Sequence, residues 1–167
     1  MVKESVKELI SGFKDGGIRL VTGVPDSWLG NVHEAVAEDP DFRYVLVGNE
    51  GVGFSICAGA WLGGMKSALV MESSGLRVAC EYIARYCLGS NIPAILILSN
   101  RGDFGDREHW STSHRIVAEP LLKALRIPYV LIRERDNLRK YVRWAITTAD
   151  TAQYPAAILI GGDLVWQ

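Results

Sequence analysis

Apolar residues at Val6, Leu9, Ile10 and Phe13 recur at the three- and four-residue spacing of one helix face, and Gly16 and Gly17 end the run. Beyond them the period changes. Short apolar runs at 19–22, 44–47, 67–71, 93–98, 129–132 and 156–160 are too short for helices and rich in Val, Ile and Leu, so each predicts a strand. Amphipathic stretches at 28–38, 51–62, 77–88, 116–125 and 137–148 predict the helices between them. A strand and helix order repeated in this way predicts a doubly wound α/β fold, with a mainly parallel six-stranded sheet and helices on both faces. Sheets of this kind place ligands outside the carboxyl ends of their strands. The loops opening at Gly23, Gly48, Glu72 and Ser99 are therefore where function is expected. No linker, repeat or low-complexity tract divides the chain, so all 167 residues are expected to form one domain.

Composition narrows the function classes. Hydrophobic residues make up 49% and charged residues 22% of the chain, within the range of a globular core. The net charge is −1 and the Lys and Arg residues are scattered, which argues against nucleic acid or an anionic membrane as partner. Cys57, Cys80 and Cys87 lack metal-ligand spacing and sit among apolar neighbours, so they are expected to be buried free thiols, with no disulfide and no zinc. The N-terminal segment alternates charge with apolar residues, unlike a signal peptide, and no apolar stretch reaches the roughly 18 residues of a membrane span. A cytoplasmic location is the expectation. Gly-x-Gly-x-x-Gly after the first strand, the Walker phosphate loop and the Gly-x-Ser-x-Gly elbow are all missing, which removes the main support for nucleotide-binding and hydrolase readings.

The candidate chemistry lies in the four loops. Glu50 follows a strand in Val-Gly-Asn-Glu-Gly and opens the helix GVGFSICAGAWLGG, whose small residues allow close packing against a neighbour. The helix dipole alone would favour an acid there; a reagent is the other possibility. Asp26 and Ser27 in GVPDSW stand where a cap is expected and are also substrate-contact candidates. In Glu72-Ser73-Ser74-Gly75 the free N–H groups of a helix start could cap or bind a polar ring edge. The long loop at 99–114 carries Arg101, whose planar fork suits a carboxylate, sulfonate or phosphonate, together with His109 and His114. Glu108, His109 and His114 lack the order of a zinc-protease helix, and no metal site is expected.

Taken together, the GVPDS loop, Asn-Glu-Gly, CAGAWLGGMKSALVMESSGL, IPAILILSNRGD and YPAAILI resemble the pyrimidine-binding domain of the thiamine diphosphate decarboxylases that act on sulfopyruvate and phosphonopyruvate. The likeness spans almost the whole chain and is strongest to the short alpha-type subunits. It implies that Glu50 hydrogen-bonds N1′ of the cofactor's aminopyrimidine and favours its imino tautomer. It also implies that Ser73, Ser74 and Gly75 border the cofactor, and that Asp26, Ser27, Arg101, His109 and His114 lie on the side of a small 2-oxo acid substrate. The diphosphate-binding domain of the family holds Mg²⁺ through a Gly-Asp-Gly motif and a following Asn, which this chain lacks. The resemblance therefore implies a separate beta subunit that binds the diphosphate and Mg²⁺, a hetero-oligomer, and an active site shared between chains. The implied reaction is sulfopyruvate to sulfoacetaldehyde and carbon dioxide.

Relatives commonly read Gln-Asn-Ser-Gly-Leu-Gly-Asn where this chain has Glu72 to Val78, a change that exchanges an amide pair and introduces Arg77. Phosphonopyruvate is the rival substrate, since both are three-carbon 2-oxo acids with a tetrahedral anion at C3. A non-catalytic or regulatory domain of the same fold is the rival from another class. Coenzyme M formation and phosphonate metabolism both remain open as pathways.

Overall fold

The computed structural model describes residues 1–134 and 137–165. Strands β1 (Leu20–Gly23), β2 (Arg43–Leu46), β3 (Ser67–Glu72), β4 (Ile95–Ser99), β5 (Tyr129–Ile132) and β6 (Ala156–Ile160) form one six-stranded sheet in the order β2-β1-β3-β4-β6-β5. Every pairing is parallel. Helices α1 (Lys3–Asp15), α2 (Gly30–Glu38), α3 (Glu50–Leu62), α4 (Gly75–Ile83), α5 (Thr112–Ala124) and α6 (Leu138–Ala152) cover both faces. The doubly wound α/β architecture expected from the apolar pattern is the one observed.

The two-residue period of the strands builds two cores. Ala68 and Val70, Ile95 and Ile97, and Ala156, Ile158 and Ile160 point to one face, where they meet Leu9 and Phe13 of α1, Val32 and Val36 of α2, and Val142 and Ile146 of α6. Leu69 and Met71, Leu96 and Leu98, and Ala157 and Leu159 point to the other, against Phe54 and Cys57 of α3, Leu76 and Ile83 of α4, and Leu122 of α5. Buried on both faces, β3, β4 and β6 read as continuous apolar runs, as central parallel strands must. The edge strands β2 and β5 are less buried.

Helix α3 is apolar around its whole circumference because its small residues sit where neighbours press in. A Cβ on Gly51 would lie 2.3 Å from the ring of Tyr82 on α4, and one on Gly53 would lie 2.7 Å from Leu69 of β3. The close packing expected from this glycine pattern is therefore present, against α4 and the sheet.

Several expectations are corrected. Helix α5 begins at Thr112, not near 116, and a 3-10 turn at His109–Ser111 leads into it, so the irregular part of the long loop shrinks to 100–108. Polar Ser113, His114 and Arg115 hide this first turn from a hydrophobic pattern, and Ile116 is exposed while Ala118 and Leu122 carry the buried face. The helix expected at 77–88 starts earlier, at Gly75, and closes as a π-helical turn at Ala84–Leu88, whose Tyr86 stacks on Phe54 with ring centroids 6.3 Å apart. Cys57 and Cys87 are free and buried, their thiols pushed up to about 12 by burial, whereas Cys80 is only partly buried. Among the described residues no helix is long and apolar enough to cross a membrane.

Candidate active site

Strand order reverses between β1 and β3: the chain leaves β1 towards β2 and returns across it to β3. A crevice is expected outside the carboxyl ends at such a switch. The loop after β1, the ends of β3 and β4 and the starts of α3 and α4 lie at this end of the sheet.

Asn49 caps α3, its Oδ1 accepting from Gly51 N at 2.9 Å and Val52 N at 3.2 Å. With the cap supplied by its neighbour, Glu50 is the first helical residue, and its half-buried side chain makes no hydrogen bond or ion pair among the described residues. The side chain rests instead on the start of α4. A Cβ on Gly75 would come within 2.5 Å of Glu50 Cγ and 2.7 Å of Oε1. Beside it, Ser73 is buried, and its hydroxyl is without a hydrogen-bond partner among the described residues. A polar group in that state carries the cost of lost water without a return, which is common where a ligand completes the bonding.

Glu72 occupies the far side of the same helix start. Its Oε1 accepts from Ser74 Oγ at 2.6 Å, so Ser74 binds back to the strand and does not cap α4. The start of α4 thus runs between two carboxylates, Glu50 touching Gly75 and Glu72 bonded to Ser74. His114 Nδ1 lies 2.9 Å from Glu72 Oε1, off the line of a hydrogen bond, and the two charges attract when the imidazole is protonated.

Asp26 does cap the segment after it: Oδ1 accepts from Trp28 N at 2.6 Å and Leu29 N at 3.0 Å. Its Oδ2 accepts from Ser99 Oγ at 3.1 Å, which ties the β1 loop to the end of β4. Burial raises the Asp26 carboxyl above the usual range; the Trp28 and Leu29 N–H groups and the Ser99 hydroxyl pull the other way, and the charge of Glu72 adds to the rise.

The structure turns the fork of Arg101 inward. Its side chain and that of Asp106 are each 2% exposed, with Nε donating to Asp106 Oδ2 at 3.0 Å and one terminal nitrogen donating to Ser27 Oγ at 2.8 Å. Trp28 and Trp110 sandwich the guanidinium, each ring centroid 4.6 Å away. Burial would raise Asp106, but the N–H groups of Gly102 and Glu108, the Arg101 guanidinium and the Ser111 hydroxyl together hold it below the usual carboxylate range. Arg101 and Ser27 are brought together, but in a bond that braces the loop. His109 is exposed at the head of the 3-10 turn and makes no contact with the cluster among the described residues.

Two participants escape a sequence reading. Glu72 was visible as an acid closing a buried central strand, but its close approach to His114 joins residues 42 positions apart in the chain. Trp110 joins Arg101 to His114, whose ring centroid lies 5.2 Å from its own, and an exposed aromatic residue in a loop gives no advance sign of that.

No protein-family model matches the chain. It is 32% identical over 153 residues to the sulfopyruvate decarboxylase subunit alpha of Methanococcus maripaludis, covering 92% of this chain and 91% of that protein. It is 34% identical over 101 residues to the phosphonopyruvate decarboxylase of Streptomyces viridochromogenes, covering 60% of this chain and 25% of that longer protein. Among solved structures, the 2-oxoglutarate:ferredoxin oxidoreductase of Magnetococcus marinus superposes with a TM-score of 0.73 at 14% identity, covering 97% of this chain and 29% of that one, a likeness of fold alone. The near end-to-end match to the first of these shows that the chain belongs to the family of sulfopyruvate decarboxylase alpha subunits.

Proposed function

We propose that this chain is the alpha subunit of a thiamine diphosphate-dependent decarboxylase that converts sulfopyruvate to sulfoacetaldehyde and carbon dioxide. The observation that carries the reading is Glu50: a half-buried carboxylate at a helix start, already capped by Asn49, seated on Gly75 and left without a partner among the described residues. A half-buried carboxylate that neither caps its helix nor pairs with a cation is free to meet a ligand. The relatives' names supply the reaction class.

The residues present fit the aminopyrimidine end of the cofactor. Glu50 would accept or share the proton at N1′, and Ser73, two residues before the Gly75 that Glu50 rests on, has a buried hydroxyl without a hydrogen-bond partner among the described residues. Gly75 leaves the backbone bare where a side chain would push Glu50 aside. Bound thiamine diphosphate supplies the electron sink that a 2-oxo acid needs to lose carbon dioxide. Asp26, its pKa raised first by burial, would hold a proton more readily than an ordinary aspartate, and it shapes the substrate side by capping the loop after β1 and tying it to Ser99. Arg101 and Ser27 act there by bracing the loop wall.

Single-domain scope and partnership belong to the same reading. The whole chain serves as one pyrimidine-binding domain, and a beta subunit binds the diphosphate and Mg²⁺, because the Gly-Asp-Gly motif is missing here and the relative is named as a subunit. The test is carbon dioxide release from sulfopyruvate and from phosphonopyruvate by the chain with a diphosphate-binding partner, thiamine diphosphate and Mg²⁺. Turnover of sulfopyruvate that requires both chains is the expected result. Faster turnover of phosphonopyruvate would move the assignment to that acid, and no turnover of either would favour a non-catalytic domain.

A further inference from the structure

Glu72 closes β3 near the middle of the sheet with its side chain 18% exposed, and His114, at 11%, faces it from the first turn of α5. Two contacts hold this pair in place. Ser74 Oγ donates to Glu72 Oε1 at 2.6 Å, and Trp110 backs the imidazole with ring centroids 5.2 Å apart. Trp110 is itself held by the Arg101 guanidinium, 4.6 Å from its centroid, and Trp28 lies against the other side of that guanidinium at the same distance. A stack of Trp28, Arg101, Trp110 and His114 therefore runs from the β1 loop to the first turn of α5.

This stack has a consequence for substrate binding. A 2-oxo acid with a tetrahedral anion at C3 needs donors for its negative oxygens, and the fork of Arg101 is engaged by Asp106 and Ser27. Arg77, Arg107 and Arg115 are exposed chains, in solvent that screens their charge. His114 is a basic group at this end of the sheet that is sheltered and faces a carboxylate: Nδ1 lies 2.9 Å from Glu72 Oε1, without a hydrogen bond among the described residues, and Nε2 is the nitrogen left for a ligand. The approach to Glu72 is off-line in the free chain, but the ring torsion of histidine is soft, and bonds in active sites commonly tighten when substrate arrives.

We propose that Glu72 is a positioning residue that fixes the ring of His114, and that His114, with a proton on each ring nitrogen and Nδ1–H turned to Glu72, holds an anionic oxygen of the 2-oxo acid through Nε2–H. The proposal rests on the decarboxylase reading above. A carboxylate on one ring nitrogen sets which nitrogen the other partner meets, which is how histidine orientation is commonly enforced.

The test compares Glu72→Ala, Glu72→Gln, His114→Ala and the double Glu72→Ala/His114→Ala variant in the complex with the partner subunit. Glu72→Ala and His114→Ala are each expected to raise the KM for sulfopyruvate by about tenfold or more, the scale of one hydrogen bond to a charged group, with kcat within about threefold. Glu72→Gln keeps an acceptor for Nδ1–H but loses the charge paired with the doubly protonated ring, so its KM is expected between that of the unaltered complex and that of Glu72→Ala. The double variant should be no worse than His114→Ala, because Glu72 acts through that ring. Additive losses, or a fall in kcat at constant KM, would overturn the proposal. If the unaltered complex decarboxylates no 2-oxo acid, the functional reading fails by itself, and the pair is read directly. The chain has 3 histidines, so the ring nitrogens of a histidine-labelled alpha chain in the complex can be assigned by substitution. Glu72→Ala should move the His114 resonances and leave those of His33 and His109 in place; unmoved His114 resonances would refute the pairing.

Discussion

Glu50 lies directly on the backbone of Gly75, so closely that a Cβ at residue 75 would stand 2.5 Å from Glu50 Cγ. What would have to yield is the end of a flexible side chain, and the backbone of either helix can stay where it is. Gly75→Ala is therefore expected to leave the melting temperature within a few degrees while displacing the carboxylate. A misplacement of about 1 Å can cost about 10²-fold in rate, and turnover by the complex should fall by roughly that factor. Thermal melts and initial rates on the same preparation separate the two effects.

The contact of Arg101 with Asp106 is structural, and its loss should be read in stability. Both side chains are 2% exposed, so removing the cation strands a buried carboxylate. Arg101→Leu is expected to destabilise the chain by about 3–5 kcal/mol, as for other broken buried pairs. Arg101→Leu combined with Asp106→Leu should recover a good part of that loss, since no buried charge is left unpaired. Denaturant unfolding of the single and double variants measures both numbers.

His33 makes stability depend on pH. It is buried on α2, its Nδ1 2.9 Å from the Tyr44 hydroxyl and its Nε2 without a hydrogen-bond partner among the described residues, and burial lowers its pKa from 6.5 to about 4. Above pH 6.5 the ring is neutral in both folded and unfolded chains, and its contribution is fully present. As the pH falls from 6.5 towards 4 the unfolded chain takes up a proton that the folded chain refuses, and stability declines by about 3 kcal/mol in all. Unfolding free energies measured across that interval should show this slope, and His33→Gln should flatten it.

The fold was legible because its information is local. Leu69 and Met71 against Ala68 and Val70, and Leu96 and Leu98 against Ile95 and Ile97, announce buried strands wherever they occur. Element ends were less so: Ser113 and His114 are polar first-turn residues, and nothing apolar marks that turn. The site was half legible. Glu50 could be singled out from its place between a strand and a glycine-rich helix, and the structure leaves its carboxylate unpartnered among the described residues. Arg101 could be recognised as a planar cation, but its partner Ser27 is 74 residues away, and pattern along the chain cannot say that its fork is already engaged. The Glu72 and His114 pair is hidden for the same reason, as it exists only once β3 and α5 are packed.

The account turns on Glu50, and Glu50→Gln tests it most directly. The side chain keeps its shape and loses its charge, so the complex with the proposed diphosphate-binding subunit should still assemble. Carbon dioxide release from sulfopyruvate, measured with thiamine diphosphate and Mg²⁺, is expected to fall by about 10²- to 10⁴-fold, the range for a lost acid–base group. Unchanged release by the Glu50→Gln complex would contradict the catalytic role of this residue and with it the proposed function of the chain.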